Sequence, residues 1–93
     1  MSYKLVFDKR ALKEWRKLSP QLAEQFKKKL AQRLEDPKVI SDKLSGYKNR
    51  YKIKLRSAGY RLVYEVNDTE IIVLVLTIGK RERSNVYQKA DER

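Results

Sequence analysis

The chain contains no cysteine and no histidine. The first absence excludes disulfides, thiolate nucleophiles and cysteine-bound zinc; the second removes imidazole acid/base pairs and nearly every remaining zinc site. Acidic residues are also scarce, with Asp+Glu 12 against Lys+Arg 23. They stand as isolated residues with no spacing that would hold a metal in a carboxylate cage, so neither a metal nor a cofactor is expected. No apolar run approaches the roughly 20 residues of a membrane span, and the N-terminus lacks a signal-like apolar core. A cytoplasmic protein that makes no use of the membrane is the expectation.

What remains is basic and small. A net charge of +11 and a pI near 10.0 favour a polyanionic partner. Nucleic acid comes before membrane, because no basic amphipathic helix with a bulky aromatic face stands out. Ninety-three residues make one domain, residues 1–93, with a single modest core. Any chemistry must be done by Lys, Arg, Tyr, Ser or carboxylates.

The N-terminal segment alternates, Tyr3, Leu5 and Phe7 against Lys4 and Val6, which predicts a short strand. Asp8 is placed to cap a helix in which Ala11, Leu12, Trp15 and Leu18 recur at three- and four-residue spacing. Ser19-Pro20 breaks that helix and starts a second, with Ser19 as N-cap. The second helix runs to about Glu35, carrying Leu22, Ala23, Phe26, Leu30 and Leu34 inside and Lys27, Lys28, Lys29 and Arg33 outside. Asp36-Pro37 stops it. Residues 38–49 read as a polar loop with one helical turn near Val39 and Ile40, pinned by Leu44. Asn67-Asp68-Thr69 is a turn. It leads into residues 70–80, whose centre, Ile71 through Leu76, is apolar at every position and therefore belongs inside a sheet. A short helix is expected at the C-terminus, with Ser84 as cap; residues 88–93 have little to bury and are expected to be mobile. The fold class is α+β: an N-terminal strand, an αα-hairpin, then an antiparallel sheet and a short C-terminal helix, with the helices on one face of the sheet and cations on the other.

Residues 51–64 organise the chain. Tyr51, Ile53 and Leu55 alternate with Lys52, Lys54 and Arg56, and Ser57-Ala58-Gly59 then reverses direction. A plain three-residue loop would set Leu55 against Arg61, an apolar face against a charged one. A type I turn at Ser57-Ala58, with Gly59 at positive φ as a bulge residue, shifts the pairing by one. Lys54 then faces Arg61, and Tyr51, Ile53 and Leu55 face Tyr64, Leu62 and Tyr60. One face is apolar and aromatic; the other carries Lys52, Lys54, Arg56 and Arg61. Such like charges repel, so an anion is expected there. A solvated strand face is the plain alternative.

The strand after Thr69 is expected to pair with the second arm of this hairpin, so the turn beyond it can return Arg81 and Tyr87 over the cationic face. RNA is cleaved without a metal when its own 2′-OH attacks the neighbouring phosphate. That step needs a base, cations for the five-coordinate phosphate and an acid for the leaving 5′-oxygen. Clustered cations lower a lysine pKa, which makes Lys54 the candidate base. Arg61 and Arg81 are the candidate phosphate contacts, and Tyr87 the residue that stacks on a base or orients it.

Several blocks resemble the RelE toxins of bacterial toxin–antitoxin modules. They are Phe7-Asp8-Lys9-Arg10-Ala11-Leu12-Lys13-Glu14-Trp15-Arg16-Lys17-Leu18, Tyr51-Lys52-Ile53-Lys54-Leu55-Arg56-Ser57, Gly59-Tyr60-Arg61-Leu62-Val63-Tyr64, and Gly79-Lys80-Arg81-Glu82-Arg83-Ser84 with Val86-Tyr87. The resemblance implies a RelE-like, microbial RNase-like fold and a ribosome-dependent endoribonuclease, an mRNA interferase that cuts messenger RNA in the ribosomal A site and inhibits translation. It leaves a 2′,3′-cyclic phosphate and a 5′-hydroxyl. The family's functional positions fall on Lys52, Lys54, Arg61, Arg81 and Tyr87; Lys27, Lys28, Arg33, Arg56 and Arg83 are the implied contacts to RNA. The implied partners are the 70S ribosome through its small-subunit RNA, the mRNA, and a RelB-like antitoxin that displaces the C-terminal helix. Operator DNA is met only through the antitoxin complex, as an autorepressor. The family carries a loop arginine where this chain has Ser45.

Two other functions are open at this stage. A ParE-like relative on the same fold poisons DNA gyrase and is no nuclease, but should lack the Lys52, Lys54 and Tyr87 group. A non-catalytic RNA-binding module would use the cationic face only to hold phosphates.

Overall fold

The structure, a computed structural model, describes residues 2–80 and 89–93. In chain order come β1 (Lys4–Phe7), α1 (Lys9–Arg16), α2 (Pro20–Glu35), a 3-10 turn (Ile40–Asp42), β2 (Arg50–Leu55), β3 (Tyr60–Asn67) and β4 (Ile72–Lys80). Residues 89–91 are helical. The anticipated C-terminal helix cap, Ser84, lies outside the described residues.

Local chemistry accounts for the helix boundaries. The Asp8 carboxylate accepts the Arg10 N–H at 2.9 Å, and Ser19 Oγ accepts the Leu22 N–H at 3.3 Å, so each helix starts on a side-chain cap. Asp36, ahead of Pro37, takes φ −147° and ψ 82°, and α2 ends there.

The strands lie in the order β1-β4-β3-β2, which puts β4, apolar at every position from Ile72 to Leu76, between two neighbours. β2, β3 and β4 are antiparallel, as expected from sequence, but β1 joins β4 in parallel, so the sheet is mixed. The N-terminal strand reaches β4 only after the chain has passed through both helices, a crossover that allows parallel pairing. Against one face pack α1 and α2, burying Ala11, Phe26, Leu30, Tyr51, Ile53, Leu55, Leu62, Tyr64, Val73, Val75 and Ile78. Trp15 sits in this core between Phe7 and Phe26, with ring centroids 5.3 and 6.4 Å away. Among the described residues no helix is long and apolar enough to cross a membrane.

A bulge in β4 reverses its alternation. Val63 pairs with Thr77 but Tyr64 with Val75, leaving Leu76 as the extra residue. Val73 and Val75 before it and Ile78 after it thereby all face the helices, while Leu76 joins Val63 and Ala90 in a small second cluster, with Leu44 and Leu74 packed on it.

Two expectations are corrected. Ile71 is not part of the strand: it closes the turn at φ 56°, the left-handed region that a β-branched residue rarely adopts. Nor is the end of the chain without anchorage. Ala90 is 1% exposed in the second cluster. Asp91 accepts hydrogen bonds from Tyr47 and Arg50, and Arg93 donates to Glu14 Oε1 at 2.7 Å and to the Leu76 carbonyl at 3.0 Å. The reason is an unfilled edge. β1 pairs with β4 only as far as Val75, so among the described residues the main chain of residues 76–78 lacks a strand on that side. Glu14 Oε1 takes the Ile78 N–H at 3.1 Å and the Thr77 hydroxyl at 3.2 Å, and Arg93 covers Leu76.

Candidate active site

The β2–β3 hairpin has the register that the alternation of its side chains requires. Lys54 stands opposite Arg61, and Tyr51, Ile53 and Leu55 stand opposite Tyr64, Leu62 and Tyr60. Gly59 has φ +68° and its N–H donates to the Arg56 carbonyl at 3.3 Å, closing a tight turn that most L-residues would strain. Since Tyr51, Ile53 and Leu55 are buried under the helices, Lys52 and Lys54 emerge on the opposite face.

Arg61 continues that row and is itself paired with Gly79 of β4, so the line Lys54, Arg61, Gly79 crosses three strands. Among the described residues, a Cβ added to Gly79 would meet nothing within 4 Å. At the turn end lies a depression of about 320 Å³ lined by Lys54, Leu55, Arg56, Gly59, Tyr60 and Arg61. β4 ends at Lys80, opposite Tyr60 of the hairpin. Arg81, Arg83 and Tyr87 lie outside the described residues.

Electrostatics make Lys54 the unusual member of the row. Its pKa is held below the ordinary lysine value, first by the charge of Lys52, then by partial burial, Arg56 and Arg61, with Asp42 acting in the opposite direction. Every one of these cations penalises one more positive charge, so the neutral amine, which can accept a proton, becomes easier to reach. The structure therefore brings Lys52, Lys54, Arg56 and Arg61 to one place. Lys27 and Lys28 are exposed on α2, as expected from sequence.

Arg33 is a correction. Helical periodicity puts it with the outer lysines, yet its side chain is only 14% exposed. Nη1 donates to the Lys52 carbonyl at 3.1 Å and to Tyr64 Oη at 2.9 Å, and Nη2 pairs with Asp42 at 2.5 Å. Burial opposes its charge, but Tyr64 and Asp42 outweigh burial and raise its pKa. Tyr64 is fully buried, donates to the Pro37 carbonyl at 2.6 Å and lies parallel to Tyr51, 5.7 Å between ring centroids. Asp42 and Glu14 were not singled out by sequence: an isolated acid in a polar loop and one on a helix carry no pattern that separates them from solvated neighbours.

Residues 5–85 match the family model described as ParE toxin of type II toxin–antitoxin system, parDE. The mRNA interferase toxin RelE of Escherichia coli is 57% identical over 93 residues, covering 100% of this chain and 98% of the relative. The chain belongs to the RelE-family toxins of type II toxin–antitoxin modules. Its fold agrees: a double arginine-to-alanine mutant of E. coli RelE in the free state superposes with a TM-score of 0.93 at 55% identity, covering 100% of this chain and 98% of that one. RelE in the intact E. coli RelBE toxin–antitoxin complex gives 0.85 at 56% identity, covering 88% of this chain and 100% of that one. These RelE-family matches span essentially the whole molecule, the cationic hairpin included.

Proposed function

We propose that the protein is the toxin of a toxin–antitoxin pair and an mRNA endoribonuclease that works on the ribosome, cutting the message in the A site and so halting translation. The observation that carries this reading is the pairing of Lys54 with Arg61 on the open sheet face, with Lys52 beside it and the Lys54 pKa lowered by both. The name of the E. coli relative, an mRNA interferase, supports the same chemistry.

In the proposed reaction Lys54, as the neutral amine, takes the proton of the 2′-OH. The freed oxygen attacks the adjacent phosphorus while the bond from phosphorus to the 5′-oxygen breaks, and a proton passes to that leaving oxygen. The products are a 2′,3′-cyclic phosphate and a 5′-hydroxyl, with no net consumption of water or metal. Arg61 and Arg81 offset the charge that builds on the five-coordinate phosphate, Lys52 lowers the Lys54 pKa and so favours its neutral amine, and Tyr87 stacks on or orients a base. Lys27, Lys28, Arg56 and Arg83 supply phosphate contacts to ribosomal RNA and message. The ribosome holds the RNA in attack geometry, so free RNA is a poor substrate. A cytoplasmic location follows from this substrate.

The RelBE complex supports a RelB-like antitoxin as the partner; repression of the operon by the pair, through the antitoxin's contact with DNA, belongs to the same proposal. The test is primer extension on a translated message with purified ribosomes. Wild type should break the message inside the A-site codon, and Lys54→Ala and Arg81→Ala should each slow the break by roughly 10²-fold or more. Gyrase poisoning without any RNA break would establish the ParE-like function instead, and ribosome binding without a break would leave a non-catalytic RNA-binding module.

A further inference from the structure

β2 is an edge strand, paired with β3 on one side and tied on its outer edge to α2 and the segment before it. The carbonyls of Arg50 and Lys52 both point to that edge: the first accepts the Leu44 N–H at 2.9 Å, the second Arg33 Nη1 at 3.1 Å. Because main-chain groups two residues apart in an antiparallel strand point the same way, Lys54 presents its own backbone to the same edge. Among the described residues, Arg33 is thus the tie on that edge nearest to Lys54.

We infer that Arg33 is a positioning residue for the cationic site, its guanidinium locking the end of α2, the 3-10 turn and β2 together so that Lys52 and Lys54 are held at fixed aim. The inference rests on the cleavage function proposed above. Three acceptors from three elements converge on one fork: the Lys52 carbonyl, Tyr64 Oη and Asp42. Fixing the Lys52 carbonyl fixes the peptide plane between residues 52 and 53, and with it the pleat that sends Lys52 and Lys54 to the same face. Tyr64, fully buried opposite Tyr51, anchors the fork to the core; the Arg33 guanidinium carbon lies 5.9 Å from its ring centroid. A lysine at position 33 would keep the charge but not the planar pair of nitrogens that reach all three acceptors. Charge and geometry are therefore separable by one substitution. The arrangement also differs from that of Lys27 and Lys28, which stand exposed on the same helix and have nothing to position.

The test compares wild type, Arg33→Lys and Arg33→Met on programmed ribosomes, measuring the single-turnover cleavage rate at saturating toxin, ribosome co-sedimentation, and amide exchange along β2. Both variants should cleave about tenfold or more slowly, since small misplacements of reacting groups are costly in rate, while ribosome binding stays within about twofold of wild type. Amide exchange should accelerate along β2 relative to β4. Wild-type cleavage by Arg33→Lys overturns the inference alone and returns Arg33 to a simple charge, as does a loss of ribosome binding equal to the loss of rate. No cleavage by wild type overturns the proposed function, and this inference with it.

Discussion

Replacing Glu14 by alanine should destabilise the protein more than its position on a short surface helix suggests. The carboxylate accepts the Ile78 N–H at 3.1 Å, the Thr77 hydroxyl at 3.2 Å and Arg93 Nη1 at 2.7 Å, and thereby completes the edge that β1 leaves open. Bonds to a charged acceptor are each worth about 1.5–3 kcal/mol when well buried. Here the Glu14 side chain is 21% exposed and water can replace part of the loss, whereas Arg93, at 8%, would keep a buried charge without its partner. The expected cost is roughly 3 kcal/mol, a large share of the about 5–15 kcal/mol that holds a domain folded. For a chain of this length that lowers the melting temperature by about 12 °C or more. Glu14→Gln keeps an acceptor for Ile78 and Thr77 and should cost only about 1 kcal/mol. A double-mutant cycle with Arg93→Met sharpens the assay. Among the described residues Arg93 Nε is buried with no acceptor, so once Glu14 is gone, removing the guanidinium should cost no more than its bond to the Leu76 carbonyl, about 1 kcal/mol. Thermal unfolding followed by circular dichroism reads all four proteins. A melting point for Glu14→Ala within about 3 °C of wild type would refute the role of Glu14, as would full additivity of the two substitutions.

Lys52→Gln removes the largest influence that lowers the Lys54 pKa, so that pKa should rise; because the base acts unprotonated, the rising limb of cleavage rate against pH should move to higher pH, and a limb that stays in place would show that Lys54 is not the titrating group. Tyr64→Phe deletes the bond to the Pro37 carbonyl and the one from Arg33, and should cost about 2–3 kcal/mol in urea unfolding without altering the slope. Burial is also the main reason the Tyr64 pKa is raised, so its contribution is complete below the ordinary tyrosine pKa of 10.0 and is lost as pH rises through the folded value; wild type should lose stability in alkali faster than Tyr64→Phe does. Gly59→Ala should cost about 1 kcal/mol from its positive φ, since among the described residues an added Cβ meets nothing within 4 Å; a cost above about 3 kcal/mol in the same titration would mean that the turn rearranges.

How much of this was legible depends on whether a residue's fate is decided locally. Helix caps at Asp8 and Ser19 and the stop at Pro37 are set by one or two neighbours, and they read directly. The hairpin register also read, because parity leaves one arrangement that keeps Leu55 off Arg61. The bulge at Leu76 did not, since a run that is apolar at every position shows no break in alternation. Arg33 was misplaced because helical periodicity says which way a residue points but not whether a loop carrying Asp42 folds back over it. The anchorage of Ala90 and Arg93 escaped for a similar reason: a small residue and a terminal arginine acquire partners only from a strand edge that β1 fails to cover.

The period of two along β2 and β3 separates what stabilises the hairpin from what it does. On the helix side Ile53, Leu62 and Tyr64 are fully buried, and their burial holds the strands in register. The other side sets Lys54 against Arg61, a like-charge pair that weakens the sheet. The second cluster takes up Val63 on that other face, and the Lys54–Arg61 pair stands outside it. The same crowding of cations, Lys52 first and Arg61 among the rest, lowers the Lys54 pKa, so a feature that costs stability also makes the neutral amine easier to reach. Asp42 works against that shift, and its pairing with Arg33 directs the carboxylate's charge toward a guanidinium. Any polyanion that lies across Lys52, Lys54 and Arg61 offsets the repulsion, so binding of such a polyanion and stability of the hairpin are thermodynamically linked, each strengthening the other.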